Sequence, residues 1–177
     1  NKGIHIKPTI IKEVLDDRGN VVLPFTPKML WDITKDPKIM VYDENGEETG
    51  KYKTVDPTVI DLTRQGLRLV TQPGGTASEA FAGDTHQSSA KTGTAEYCDD
   101  IAMAKDACKF GNWPSHAWTV AYAPYDNPEI AILVFVYNGK EGAYMAGYPV
   151  RRILDNYFLL KEYDAERAGE TPGSLIQ

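Results

Sequence analysis

The run Ser88-Ser89-Ala90-Lys91-Thr92-Gly93-Thr94-Ala95-Glu96 constrains this chain more than any other stretch. It sets a cation, two hydroxyls and a residue without a side chain in four consecutive positions. Read as a strand, it alternates faces, so Lys91 and Gly93 point one way and Thr92 and Thr94 the other. Gly93 lets another molecule approach the backbone closely. The N–H of Thr94 can then meet a carbonyl oxygen held against the strand edge, with Lys91 and the threonine hydroxyls nearby for an anion. Such a strand grips an acyl group beside a carboxylate.

Acyl transfer also needs a nucleophile, and this chain does not supply a convincing one. The only S-x-x-K match is Ser88-Ser89-Ala90-Lys91. That spacing works on a helix, where Ser and Lys share a face one turn apart. Here the lysine opens a strand, so Ser88 is rejected as nucleophile. Tyr125-Asp126-Asn127 follows the strand and reads as a turn. His116 is a weak candidate base and is taken as structural or cleft-lining.

Lys91-Thr92-Gly93 resembles the K-T-G element of the penicillin-binding proteins and serine β-lactamases. Its surroundings sharpen the resemblance: Gly75-Thr76-Ala77 upstream, then His116-Ala117-Trp118 and Ala123-Pro124-Tyr125-Asp126-Asn127-Pro128 downstream. This order is similar to the class B penicillin-binding proteins. The H-A-W element favours penicillin-binding protein 2, the wall-elongation type. The resemblance runs from about Gly3 to Phe158 and covers the later half of a family transpeptidase domain.

The resemblance implies an α/β (α+β) fold, an antiparallel sheet with packed helices. Residues 1–165 would form the C-terminal lobe of a transpeptidase domain, 24–55 a surface insertion and 166–177 a loose tail. Lys91 and Thr94 would be catalytic, and Lys91, Thr92, Gly93 and Thr94 would bind substrate. The complete enzyme would attack the D-Ala-D-Ala end of a peptidoglycan stem peptide through a serine, and β-lactams would acylate that serine. No metal or cofactor is implied. The partners implied are the N-terminal half of the same domain and an elongation-machinery glycosyltransferase, on the extracytoplasmic face of the membrane with the anchor outside this chain. The alternatives are a non-catalytic scaffold of the same fold and a serine β-lactamase-like hydrolase.

Bulk properties agree with one domain of this kind. The 177 residues are 42% hydrophobic, and a net charge of −6 argues against a nucleic-acid partner. No apolar run reaches transmembrane length. Cys98 and Cys108 share one long loop and can pair where the compartment is oxidising. A metal site using Cys98, Asp99, Cys108 and His116 or His86 fits no standard zinc spacing, and two free thiols are the third possibility. The acidic stretch from Asp43 to Gly50 lacks calcium-loop spacing and reads as a solvated loop or hairpin tip.

Local patterns complete the expectation. Ile4 to Val14 reads as a short strand or extended segment at an edge, interrupted by Pro8, with a turn at Asp17–Asn20 leading to a strand at Val21–Leu23. Asp56-Pro57 opens a helix to about Thr71, with Val59, Ile60, Thr63, Leu67 and Val70 on its apolar face. Thr76 is expected to cap a second short helix, Ala77 to Phe81, with Glu79 completing the cap. His116 to Ala123 reads as a strand packed on one face. Ala131 to Tyr137, almost continuously apolar, reads as a central strand buried on both. A last helix is expected from Pro149 to Tyr163.

Overall fold

Turn chemistry organises the first sixty residues. The computed structural model describes residues 1–111, 113–167 and 169, and the chain divides into two compact units after Thr63. The first unit holds β1 (Ile4–Ile6), β2 (Glu13–Leu15), β3 (Val21–Pro24), β4 (Met29–Asp32), β5 (Ile39–Tyr42) and β6 (Glu48–Lys53). They pair antiparallel as β1–β4, β2–β3 and β5–β6. Both hairpin tips use one device. Asp16 accepts from the N–H groups of Arg18 and Asn20, and Asp43 from those of Asn45 and Glu47. Each tip then turns through a glycine with positive φ, Gly19 at 83° and Gly46 at 81°. Residues Asp43–Glu47 of the acidic stretch are therefore a hairpin tip, and Glu48–Gly50 already belong to β6. The strand–turn–strand expected around Asp17–Asn20 is the β2–β3 hairpin, while the single segment expected over Ile4–Val14 is two strands with different partners. Pro8 lies between them and has no N–H to continue a ladder.

The unit boundary falls inside α1 (Pro57–Leu69). Asp56 starts this helix by accepting from the N–H and hydroxyl of Thr58 at 2.8 and 2.6 Å. Of its expected apolar face, Val70 packs on the core, while Val59 stays half exposed. The second unit continues with β7 (Ser89–Glu96), α2 (Asp100–Ala104), β8 (Ser115–Ala123), β9 (Ile130–Val136), α3 (Gly142–Met145) and α4 (Gly147–Arg167). The helix expected over Ala77–Phe81 does not form. Those residues make turns, with Phe81 N–H on the Ala77 carbonyl, and the positive φ of Gly83 ends the run before it can propagate.

β7, β8 and β9 form one antiparallel sheet in that order. Ala90, Ala121 and Ala123 share one face and pack with Val150 and Leu154 of α4 and with Phe81. Small residues on the strands let the helix lie close. β9 corrects the sequence reading: it is an outer strand here, and its exposure alternates along its length. Ile130, Ile132 and Val134 pack on the core, whereas Leu133 and Phe135 face away at 60% and 44% exposure. A continuous apolar run shows that both faces suit burial. It does not show that both are covered by this chain. α4 extends two residues before and four beyond its expected span, and Lys161 at the polar end of its stripe pairs with Glu129. The expected loose tail falls largely outside the described residues.

Gly142 begins α3 against bare backbone. A Cβ there would stand 2.3 Å from the Gly93 carbonyl oxygen and 2.6 Å from that of Trp118. The Trp118 side chain belongs to the other face and Gly93 has none, so the strand pair is open to a glycine at that point. The Thr119 hydroxyl, fully buried, donates to the Gly142 carbonyl at 2.9 Å and fixes the contact. Gly142→Ala is expected to destabilise the unit by about 1–3 kcal/mol through overpacking against backbone that cannot yield. Thermal melting of the variant checks this.

Candidate active site

The K-T-G run lies on β7, whose only strand neighbour among the described residues is β8. Two observations fix which way its backbone faces. The Tyr97 N–H donates to the Pro114 carbonyl at 3.0 Å, on the β8 side. The carbonyl oxygens of Gly93 and Trp118, which are cross-strand partners, both lie within 2.6 Å of the point where a Gly142 Cβ would stand. Opposed carbonyls approach so closely only in a hydrogen-bonded pair of an antiparallel ladder. Lys91, Gly93, Ala95 and Tyr97 therefore face β8. Thr92, Thr94 and Glu96 turn their N–H and C=O groups to the outer edge, which no described strand covers.

Side chains at this edge supply one ammonium and two hydroxyls. Lys91 and Thr94 are exposed, and the Lys91 ammonium donates to the outward carbonyl of Thr92. The Thr92 hydroxyl lies 3.5 Å from that of Thr76, which joins the Gly75-Thr76-Ala77 turn to the strand. At Gly93 a Cβ would meet only the Trp118 Cβ, at an ordinary 3.5 Å. The fold tolerates a side chain there.

The start of β7 is anchored through Ser88. Its carbonyl accepts from Arg68 Nη1 and from the Thr71 hydroxyl, each at 2.7 Å. Its N–H and hydroxyl donate to the Asp84 carboxylate at 2.6 and 3.1 Å. Ser88 is fully buried and lies on no helix, which agrees with its rejection as a nucleophile. Arg151 of α4 holds the preceding turn through the carbonyls of Ala82 and Gly83 at 3.3 and 3.2 Å, with Asp155 fixing its guanidinium at 2.7 Å.

The far end of β7 is anchored by a device that the sequence reading missed. Asp99 caps α2 by accepting from the Ala102 N–H at 2.8 Å, and also accepts from the Tyr137 hydroxyl at 3.0 Å. It thus ties the loop after β7 to the residue after β9. The Ala102 N–H, then Tyr137 and the nearby His116, hold its carboxyl below the ordinary carboxylate value. His116 is buried, stacks on Tyr137 at 4.8 Å and accepts the Asn138 N–H on Nδ1 at 2.9 Å. That is the geometry of a packing residue. Cys98 and Cys108 are joined as a disulfide, which occupies both sulfurs and leaves no thiolate for a metal. Replacing both by serine is expected to cost about 2–3 kcal/mol, given a loop this short. A reductant should lower the Tm of the native chain and leave that of the double variant unmoved.

Residues 1–157 match the penicillin binding protein transpeptidase domain family. The chain belongs to that family. Among curated relatives of this chain, peptidoglycan D,D-transpeptidase MrdA of Haemophilus influenzae is 26% identical over 163 residues, 89% of this chain and 21% of that protein. Penicillin-binding protein 2A of Bacillus subtilis is 31% identical over 165 residues, 91% of this chain and 20% of that protein. The chain thus spans about a fifth of the length of these relatives. Among solved structures, penicillin-binding protein 2B of Streptococcus pneumoniae superposes with a TM-score of 0.58 at 22% identity, over 89% of this chain and 22% of that one. The D,D-transpeptidase domain of a peptidoglycan glycosyltransferase from Eggerthella lenta gives 0.57 at 20% identity, over 91% and 29%. These two likenesses concern the fold alone.

Proposed function

We propose that this chain is the K-T-G wall of a serine-type peptidoglycan D,D-transpeptidase whose nucleophile lies on polypeptide outside it. The observation that carries the reading is the open edge of β7. The Thr94 N–H points outward there, between the bare Gly93 and the exposed Glu96, with the Lys91 ammonium two residues before Gly93. The serine oxygen would bond to the carbonyl carbon of the penultimate D-Ala. The C–N bond to the terminal D-Ala then breaks, and that residue leaves with the serine proton on its amine. A neighbouring amine next attacks the ester, forms the new amide and returns a proton to the serine. The Thr94 N–H stabilises the oxyanion in both halves. Lys91 raises the positive potential at the nucleophile, and Thr92 and Thr94 hydroxyls hold the terminal carboxylate.

The nucleophile-bearing part is expected to cover the Lys91 face of the sheet. That face also exposes Trp118 at 37% and Val120 at 41%, beside the outward side chains of Leu133 and Phe135. β-Lactams would acylate the same serine. We place the assembled enzyme on the extracytoplasmic face of the membrane, in keeping with the disulfide, beside an elongation glycosyltransferase. Among the described residues no helix is long and apolar enough to cross a membrane.

Mixing the chain with the nucleophile-bearing half of the domain and a labelled penicillin tests this. Covalent label on the reassembled pair, and none on this chain alone, is the expected result. Label on neither favours a scaffold role, and label on this chain alone removes the division of labour.

A further inference from the structure

On the transpeptidase reading, we infer that Arg68 is a positioning residue for the reaction. Through Ser88 it fixes where Lys91 and Thr92 lie, and so how firmly the strand holds the carboxylate of an acyl donor. Arg68 sits in the last turn of α1, outside the K-T-G strand. Its Nη1 donates to the Ser88 carbonyl at 2.7 Å and to the Thr71 hydroxyl at 2.8 Å. Thr71 donates to the same carbonyl at 2.7 Å. The Asp84 carboxylate accepts the Ser88 N–H and hydroxyl, and the His86 N–H at 3.0 Å. Asp84 Oδ2 lies 3.9 Å from Arg68 Nη1. Every polar group of Ser88 is thus held by this charged pair or by Thr71.

Ser88 precedes the ladder with β8, which begins at Ser89 and Tyr122, so strand pairing does not fix it. No described strand covers the outer edge of β7, so its placement on that side depends on contacts from the core. The end of α1 supplies them on either side of Lys91. One is the Ser88 clamp. The other is Thr92, whose hydroxyl lies 3.5 Å from that of Thr76. Thr76 belongs to the turn that returns onto α1, where the Ala77 N–H donates to the Val70 carbonyl at 3.0 Å. The clamp is also charged where packing alone needs no charge: the Arg68 and Asp84 side chains are 23% and 4% exposed. Apolar residues of the same volume often stabilise a fold as well as a buried ion pair does. What the pair adds is direction, because each hydrogen bond restricts an angle as well as a distance.

The test uses a complete transpeptidase domain containing this chain and two labelled penicillins, one with its carboxylate free and one with it blocked as a methyl ester. The native protein is expected to acylate faster with the free acid. Arg68→Met keeps much of the side chain's length without its hydrogen bonds. It should lower the acid-over-ester ratio about tenfold, the scale of weakening a hydrogen bond to a charged group. Arg68→Lys, which still carries a donor for the Ser88 carbonyl, should recover part of the ratio. Both rates are measured on one variant, so a change in folded fraction cancels. Phe81→Ala is the control: it empties a buried core site and should leave the ratio at its native value. Three results overturn the inference and leave the transpeptidase reading standing: an unchanged ratio in Arg68→Met, no recovery in Arg68→Lys, or an equal fall in Phe81→Ala. Acylation by neither penicillin, or no preference for the acid in the native protein, overturns both.

Discussion

Thr94→Pro is expected to slow penicillin acylation of the assembled domain about a hundred- to a thousandfold, which is the scale of losing one oxyanion donor. The substitution deletes the backbone N–H together with the Thr94 hydroxyl, and Thr94→Val, which removes the hydroxyl and keeps the N–H, separates the two losses. Because Thr94 lies in phase with Thr92, that N–H faces the open edge and takes no part in the ladder with β8. Proline is tolerated at edge positions whose N–H points outward. The folded state should therefore survive, with its Tm close to native. Ala95→Pro supplies the contrast. Its N–H faces β8, so the same chemical change one residue later removes a ladder bond and should unfold the sheet. If the two variants lose acylation and stability in the same proportion, the orientation assigned to β7 is wrong.

Phe81→Ala is expected to cost about 3–5 kcal/mol, the range for emptying a fully buried aromatic site. Phe81 is 2% exposed and belongs to the cluster that contains Ala90 of β7 and Val150 and Leu154 of α4. Alanines on the sheet leave few large neighbours to collapse into the cavity. A loss of that size is a large share of the stability of any single domain. Denaturant melts should show it as a lower midpoint with an unchanged slope. The variant's acylation should fall only as far as its folded fraction falls, because no atom of Phe81 enters the chemistry proposed here.

These predictions differ in how far the sequence alone could have reached them. The strand from Lys91 to Thr94 is legible because its chemistry is local: four adjacent residues and a period of two already imply which side chains share a face. The same holds for the hairpin tips at Asp16–Gly19 and Asp43–Gly46 and for the start of α1 at Asp56-Pro57. Gly142 was not legible, since its contact with Gly93 and Trp118 joins residues far apart in the chain. Nor was the Asp99–Tyr137 bond, for the same reason. β9 misleads for a different cause. Its apolar residues suit burial on both faces, and among the described residues only one of those faces is packed. The expected helix at Ala77–Phe81 fails because a capping pattern reports where a helix can begin, not whether enough residues follow to sustain it.

The measurement that bears most directly on the whole account is a structure of the assembled domain acylated by a penicillin. The acyl carbonyl oxygen is predicted to sit about 2.7–3.1 Å from the Thr94 nitrogen, on the outer edge of β7, with the drug's carboxylate at the Thr92 and Thr94 hydroxyls. A carbonyl oxygen held elsewhere, or an outer edge of β7 filled by another strand of the protein, would contradict it.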